Sequence, residues 1–169
     1  IWSEGPLLVT PGALIPRKGQ RLVIEALKLV PEARLAFAGA GDDEAALKAM
    51  AKRLGVADRV HFLGLVDHEV LPHLLCAADV LVLPSASEGL ANVWVEGLAC
   101  GTPIVIPDIG GAREIVKDDS AGRIVPRTRR ARRMSPKTPA GSAGVSMPAI
   151  SCTSGAMCSK ASPSPVTKN

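Results

Sequence analysis

Aromatic side chains are scarce: the 169 residues hold Trp2, Phe37, Phe62 and Trp94 and no tyrosine. A nucleic-acid binder stacks bases on aromatic rings and presents a basic face. The basic face is lacking too, because residues 1–126 carry all 16 Asp and Glu against 12 Lys and Arg. The remaining 8 Lys and Arg lie in residues 127–169, so the net charge of +4 belongs to the tail and nucleic acid is excluded as a partner of the body. Cysteine is sparse, with Cys76, Cys100, Cys152 and Cys158 forming no C-x-x-C pair, and the chain opens on no signal-peptide pattern. Cys76 and Cys100 fall in apolar helical patterns and read as small buried hydrophobes. A reducing, cytoplasmic setting fits that usage. No apolar run approaches the roughly 18 residues that cross a bilayer, so no transmembrane segment is expected.

Metal chemistry lacks its donors as well. His61, His68 and His73 are scattered over a strand and a helix, and a five-residue spacing of the last two does not align ligands on one helix face. No Asp-x-Asp occurs, and the pairs Asp42-Asp43 and Asp118-Asp119 read as solvated or capping groups. No metal and no bound cofactor are expected. Gly-x-Ser-x-Gly, a P-loop and a Cys/His nucleophile are absent too.

What is present is an alternation. Apolar runs at 7–10, 34–38, 60–63, 80–83, 103–106 and 123–125 are separated by helical patterns at 19–30, 43–54, 68–78, 92–100 and 111–116. In the first helix Leu22, Val23, Ala26, Leu27 and Val30 share a face, Gly55 supplies the stop of the second, and Pro72 sits in the first turns of the third. Short apolar strands alternating with helices predict an α/β domain, a Rossmann-like parallel sheet with helices on both faces. Ligands of such sheets bind at the carboxyl ends of strands where strand order reverses, which points to the loops after strands one and four. After Val125 the periodicity ends. Residues 127–169 are basic and rich in Pro and Ser, and read as a disordered or out-of-frame tail in which Arg127, Arg129, Arg130, Arg132 and Arg133 carry no function. The domain boundary is therefore set at 126.

In the loop after strand four, Ser87-Glu88-Gly89 and the small Ala91 precede Asn92, read as the N-cap of a helix whose apolar face is Val93, Val95, Leu98 and Ala99. Such a helix start offers unpaired N–H groups and the positive dipole end, an anion site suited to phosphate. Glu88 lies just outside it, and Glu96 about 6 Å further along the axis. Carboxylates do not bind phosphate, so hydroxyls flanking it would be their partners, as a nucleotide sugar provides. The spacing alone equally fits a solvated Glu96 and a Glu88 that merely favours the dipole. In the first loop, Arg17-Lys18-Gly19 would neutralise a diphosphate at the same edge, although an isolated Arg-Lys pair is as readily solvated. Gly39-Ala40-Gly41 fails as a dinucleotide fingerprint because Glu44 stands where a third glycine belongs. Those glycines read as a place where another backbone or a ligand comes close.

These residues resemble a known family. PRKG at 16–19, with SEGLANVWVEGLACGTPIVIPDIGGAREIV at 87–116, is similar to the C-terminal nucleotide-sugar-binding domain of family 4 (group 1) retaining glycosyltransferases of the GT-B fold. Glu88 and Glu96 meet its E-x7-E spacing, and the likeness covers about residues 6–126. It implies a hexosyltransferase that retains anomeric configuration without a divalent metal, using a UDP- or GDP-sugar as donor. Glu96 would bind the ribose hydroxyls, Glu88 the transferred sugar, and Lys18, with Arg17, the diphosphate. Gly12 of the first loop and the backbone of Gly89, Leu90, Ala91 and Asn92 would complete the donor site. The chain departs from the family at Ala13, where an arginine is usual, and at Ala91, where Gly or Pro is usual. The acceptor, a glycan or lipid, would be held by an N-terminal domain this chain does not include, so residues 1–126 alone are expected to be inactive. The full-length enzyme would be cytoplasmic, with peripheral membrane contact left open. A nucleotide-sugar epimerase of the same fold and a non-catalytic nucleotide-sugar binding module are the alternatives.

Overall fold

The computed structural model describes residues 5–126; the reading of residues 127–169 as a separate tail lies outside them. Six strands form one wholly parallel sheet: β1 (Leu7–Pro11), β2 (Arg34–Ala38), β3 (Val60–Phe62), β4 (Val80–Val82), β5 (Ile104–Pro107) and β6 (Gly122–Val125). Their spatial order is β3-β2-β1-β4-β5-β6, so the order reverses between β1 and β4. Val9 of β1 pairs with Ala36 of β2 on one side and Leu81 of β4 on the other.

The helices are α1 (Gln20–Leu27), α2 (Glu44–Arg53), α3 (Leu71–Ala77), α4 (Asn92–Ala99) and α5 (Ala112–Ile115). Alternation of side chains along each strand feeds two cores. Leu35 and Phe37 of β2 pack with Val23, Ile24 and Leu27 of α1 and Leu47, Met50 and Ala51 of α2. Val9, Ala36, Leu81, Ile104 and Ile106 face the other way, onto Leu75 of α3, Trp94 of α4 and Ala112 of α5. Near-continuous apolar strands follow from having helices on both faces.

Two helix faces differ from the sequence reading. In α1 the buried residues are Gln20, Val23, Ile24 and Leu27, while Ala26 is exposed and Val30, also exposed, lies past the end of the helix. In α4 the buried residues are Trp94 and Gly97; Val93 and Leu98 pack only partly and Ala99 is exposed. The indole of Trp94 is fully buried and contributes about 3 kcal/mol or more by area. It anchors the helix whose first turn faces the edge where strand order reverses. Cys76 and Cys100 are half-buried, less enclosed than expected. Asp43, expected to be solvated or capping, is buried and takes a two-pronged bond from Arg21, whose Nη2 donates to Oδ1 at 2.8 Å and Nε to Oδ2 at 3.2 Å. Asp118 does cap its turn, accepting from the N–H groups of Ser120 and Ala121.

Candidate functional site: the mouth of the fourth helix

The loop after β1 turns at Gly12 and enters a single 3-10 turn, Pro16–Lys18. The N–H of Gly12 donates to Ala38 O at 2.9 Å and that of Leu14 to Ala40 O at 3.0 Å, so this loop lies across the turn after β2. The glycines at 39 and 41 permit the crossing. A Cβ on Gly39 would collide with Gly12 O, and one on Gly41 would stand 2.8 Å from Leu14 N. The sequence expectation of a close backbone approach at Gly39-Ala40-Gly41 is therefore met, and the approaching chain is the protein's own.

That crossing delivers Lys18 to the loop after β4. Lys18 Nζ donates to Glu88 Oε1 at 2.7 Å, joining residues 70 positions apart, and both side chains are largely enclosed. Arg17 comes to the same loop: its Nη1 donates to Ser87 O at 2.7 Å and stands 3.8 Å from Glu88 Oε1. Its carbonyl accepts from Ala86 N–H at 2.7 Å.

Asn92 is the first residue of α4, and Ala91, extended at φ −73° and ψ 124°, is the cap, with no side-chain cap bond. This corrects the reading of Asn92 as N-cap. Among the described residues, the N–H groups of Leu90, Ala91, Asn92 and Val93 have no acceptor. Four unpaired donors at a helix start, beside an ammonium, form a positive mouth.

The mouth opens onto a cleft of about 550 Å³, whose walls include Gly12, Lys18, Glu88, Leu90, Ala91 and Asn92. Six of the nine residues singled out from sequence thus meet in one cavity. Gly12 lines it without offering its N–H, which is already bonded to Ala38 O. Arg17, Gly89 and Glu96 do not line it. Glu96 lies one turn further along α4, half-buried, with Oε1 3.8 Å from Nε2 of the exposed His68. His68 belongs to the loop that lends Leu65 and Val66 to the cleft, beside Leu71 at the start of α3. Sequence reasoning missed Leu65, Val66 and the neighbourhood of His68, since nothing in a loop after an edge strand announces which cleft it borders. Among the described residues, no three His, Cys, Asp or Glu side chains gather as metal ligands. No helix among them is long and apolar enough to cross a membrane.

The glycosyl transferases group 1 family model matches residues 2–135, and the chain belongs to that family. It is 39% identical over 134 residues to a GDP-mannose-dependent α-(1-6)-phosphatidylinositol monomannoside mannosyltransferase of Mycolicibacterium smegmatis, covering 73% of this chain and 35% of that protein. It is 37% identical to a D-inositol 3-phosphate glycosyltransferase of Mycobacteroides abscessus, covering 68% and 27%. Among solved structures, HepE of Anabaena in complex with UDP superposes with a TM-score of 0.69 at 28% identity, over 75% of this chain and 36% of that one. Sucrose-phosphate synthase of Thermosynechococcus elongatus gives 0.68 at 30% identity, over 75% and 33%. The chain spans about a third of the length of the curated relatives it matches. The fold is accordingly the Rossmann-like half of a GT-B glycosyltransferase.

Proposed function

We propose that this chain is the donor-binding part of a retaining hexosyltransferase, holding a nucleoside diphosphate sugar at the mouth of α4. The observation that carries the reading is the meeting of Lys18 and Glu88 at 2.7 Å beside four unpaired N–H groups, on one wall of a cleft. In this reading the diphosphate sits on the N–H groups of Leu90 to Val93 and draws Lys18 toward it. Arg17, 3.8 Å from Glu88 Oε1, adds positive charge at the same place. Glu88 is left to accept hydroxyls of the transferred sugar, and Glu96, one turn along, those of the ribose. As the bond to the sugar breaks, charge builds on the departing diphosphate, and fixed donors at the helix start stabilise it without rearrangement. Such donors supply the electrostatic work that a divalent cation would otherwise do. Retention of configuration rests on the resemblance of the Glu88 to Glu96 segment to the family 4 enzymes.

Relatives whose names specify GDP-mannose, and a structural neighbour holding UDP, support a GDP- or UDP-sugar as donor. The acceptor named for one such relative is a phosphatidylinositol monomannoside, which supports a glycan or lipid acceptor held elsewhere in a longer protein and a cytoplasmic, membrane-peripheral setting. Calorimetric titration of the chain with GDP-, UDP- and ADP-sugars tests the donor assignment. One of them is expected to bind, and Glu96→Ala to weaken it about tenfold while leaving pyrophosphate binding unchanged, the loss of about one charged hydrogen-bond pair. Failure of all three to bind overturns the reading. A Glu96→Ala chain that binds its nucleotide sugar undiminished removes Glu96 from it.

A further inference from the structure

The loop that carries Glu88 is braced from its far side by a segment that does not line the cleft. After β5 the chain runs through Asp108-Ile109-Gly110-Gly111 into α5, and this turn is itself fastened. Asp108 N–H donates to Val125 O of β6 at 3.0 Å, its carboxylate takes two bonds from Arg113, and Ala112 is fully buried. From this anchored turn Gly111 N–H donates to Gly89 O at 2.9 Å. Gly110 is closer still. It lies at φ +49°, and a Cβ there would overlap Gly89 O and stand 2.5 Å from Glu88 O. Both obstructing atoms are backbone, so neither can swing aside.

We propose that Gly110 and Gly111 form a positioning element for the donor site, fixing Glu88-Gly89 so that the Glu88 carboxylate and the N–H groups of Leu90 to Val93 face one ligand. The inference rests on the donor reading above. On the opposite flank Arg17 holds Ser87 O, so the loop is clamped between the first loop and the turn after β5. Neither Gly110 nor Gly111 lines the cleft, and both act through the loop they touch. A methyl at 110 displaces the Glu88 and Gly89 carbonyls, breaks the Gly111 to Gly89 bond and shifts the helix mouth away from Lys18.

A second glycine supplies the control. Gly55 lies at φ +69° with nothing within 4 Å of its would-be Cβ, so alanine there meets the same left-handed backbone strain without a collision. The experiment compares Gly110→Ala with Gly55→Ala in the whole chain by titration with GDP and UDP and by amide hydrogen exchange at Gly111 and Ala86, whose N–H groups donate to Gly89 O and Arg17 O. Gly110→Ala is expected to lose about tenfold or more in affinity and to exchange faster at Gly111 and Ala86, while Gly55→Ala keeps the unaltered affinity and exchange. Gly111→Pro, at a φ of −79° that proline accepts, removes the N–H that Gly89 O takes; it is expected to lose about threefold and serves if Gly110→Ala does not fold. Affinity and exchange in Gly110→Ala matching those of Gly55→Ala overturn the inference, as does an undiminished affinity in Gly111→Pro when that variant stands alone. Should the unaltered chain bind neither GDP nor UDP, the donor reading falls, and the exchange comparison still decides whether Gly110 fixes the loop.

Discussion

Two glycine-containing loops leave the same edge of the sheet, one after β2 and one after β4, and their backbone donors meet opposite fates. Around the first, the N–H groups of Gly12 and Leu14 are taken by Ala38 O and Ala40 O, and those of Asp43 and Glu44 by Leu14 O and Gly41 O. Around the second, Leu90 to Val93 keep four donors without an acceptor among the described residues. The charged groups follow suit: Asp43 is consumed by Arg21 within the scaffold, whereas Glu88 and Lys18 pair on a cleft wall. Glycine content does not distinguish a packing loop from a ligand loop. Where the backbone hydrogen bonds go does, because a donor the protein has already taken cannot serve a ligand, while one left facing a cleft can exchange water for it.

The comparison can be broken most forcefully at Gly39. Gly39→Ala pushes a methyl into Gly12 O and is expected to cost about 2–4 kcal/mol of unfolding free energy, measured by denaturant titration. A loss below about 0.5 kcal/mol would show that the crossing of the loop after β1 over the turn after β2 is not needed for the fold. Next in size is Lys18→Ala, which removes the ammonium from the ligand loop. Binding of a nucleoside diphosphate, followed by calorimetry, should weaken about 10–100-fold, with a change in melting equivalent to about 1 kcal/mol, since Arg17 remains near Glu88. Equal loss of affinity for nucleoside and nucleoside diphosphate would separate Lys18 from the phosphate.

The smallest effect sharpens the account of what holds the ligand loop from behind. The hydrogen bond from Arg113, outweighing desolvation and helped by the guanidinium charge, holds the Asp108 carboxyl below its ordinary value. A carboxyl that is harder to protonate when folded stabilises the fold above its unfolded pKa of about 4, and the gain is lost as pH falls through the lower folded value. Asp108→Asn should therefore flatten the slope of stability against pH below about pH 4 in thermal melts, lowering the neutral-pH melt slightly and leaving the most acidic melts nearly unchanged. An unchanged acid slope in the variant would remove Asp108 from the acid response.

Much of this was legible before any coordinates. Apolar runs of three to five residues between helical patterns placed all six strands to within a residue or two, because strands buried on both faces are written as continuous hydrophobic stretches. The face of α4 was not legible. NVWVEGLA is apolar at nearly every position, so periodicity could not rank Trp94 and Gly97 above Val93, Val95 and Ala99; packing against Leu81 and Ile104 made the choice. Asp43 was likewise misjudged, since an acidic pair in a loop gives no sign that Arg21, 22 positions away, reaches one member of it.

The order of residues by itself determined the alternation, the parallel sheet and the small-residue start of α4. These depend on burial pattern and local backbone preference, which act within a few residues. Only the tertiary structure decided which donors stay free, that Lys18 reaches Glu88, and that Gly110 and Gly111 brace the loop from behind. Those outcomes rest on contacts between segments 20 to 70 positions apart, and their geometry exists only once the sheet has set its strand order.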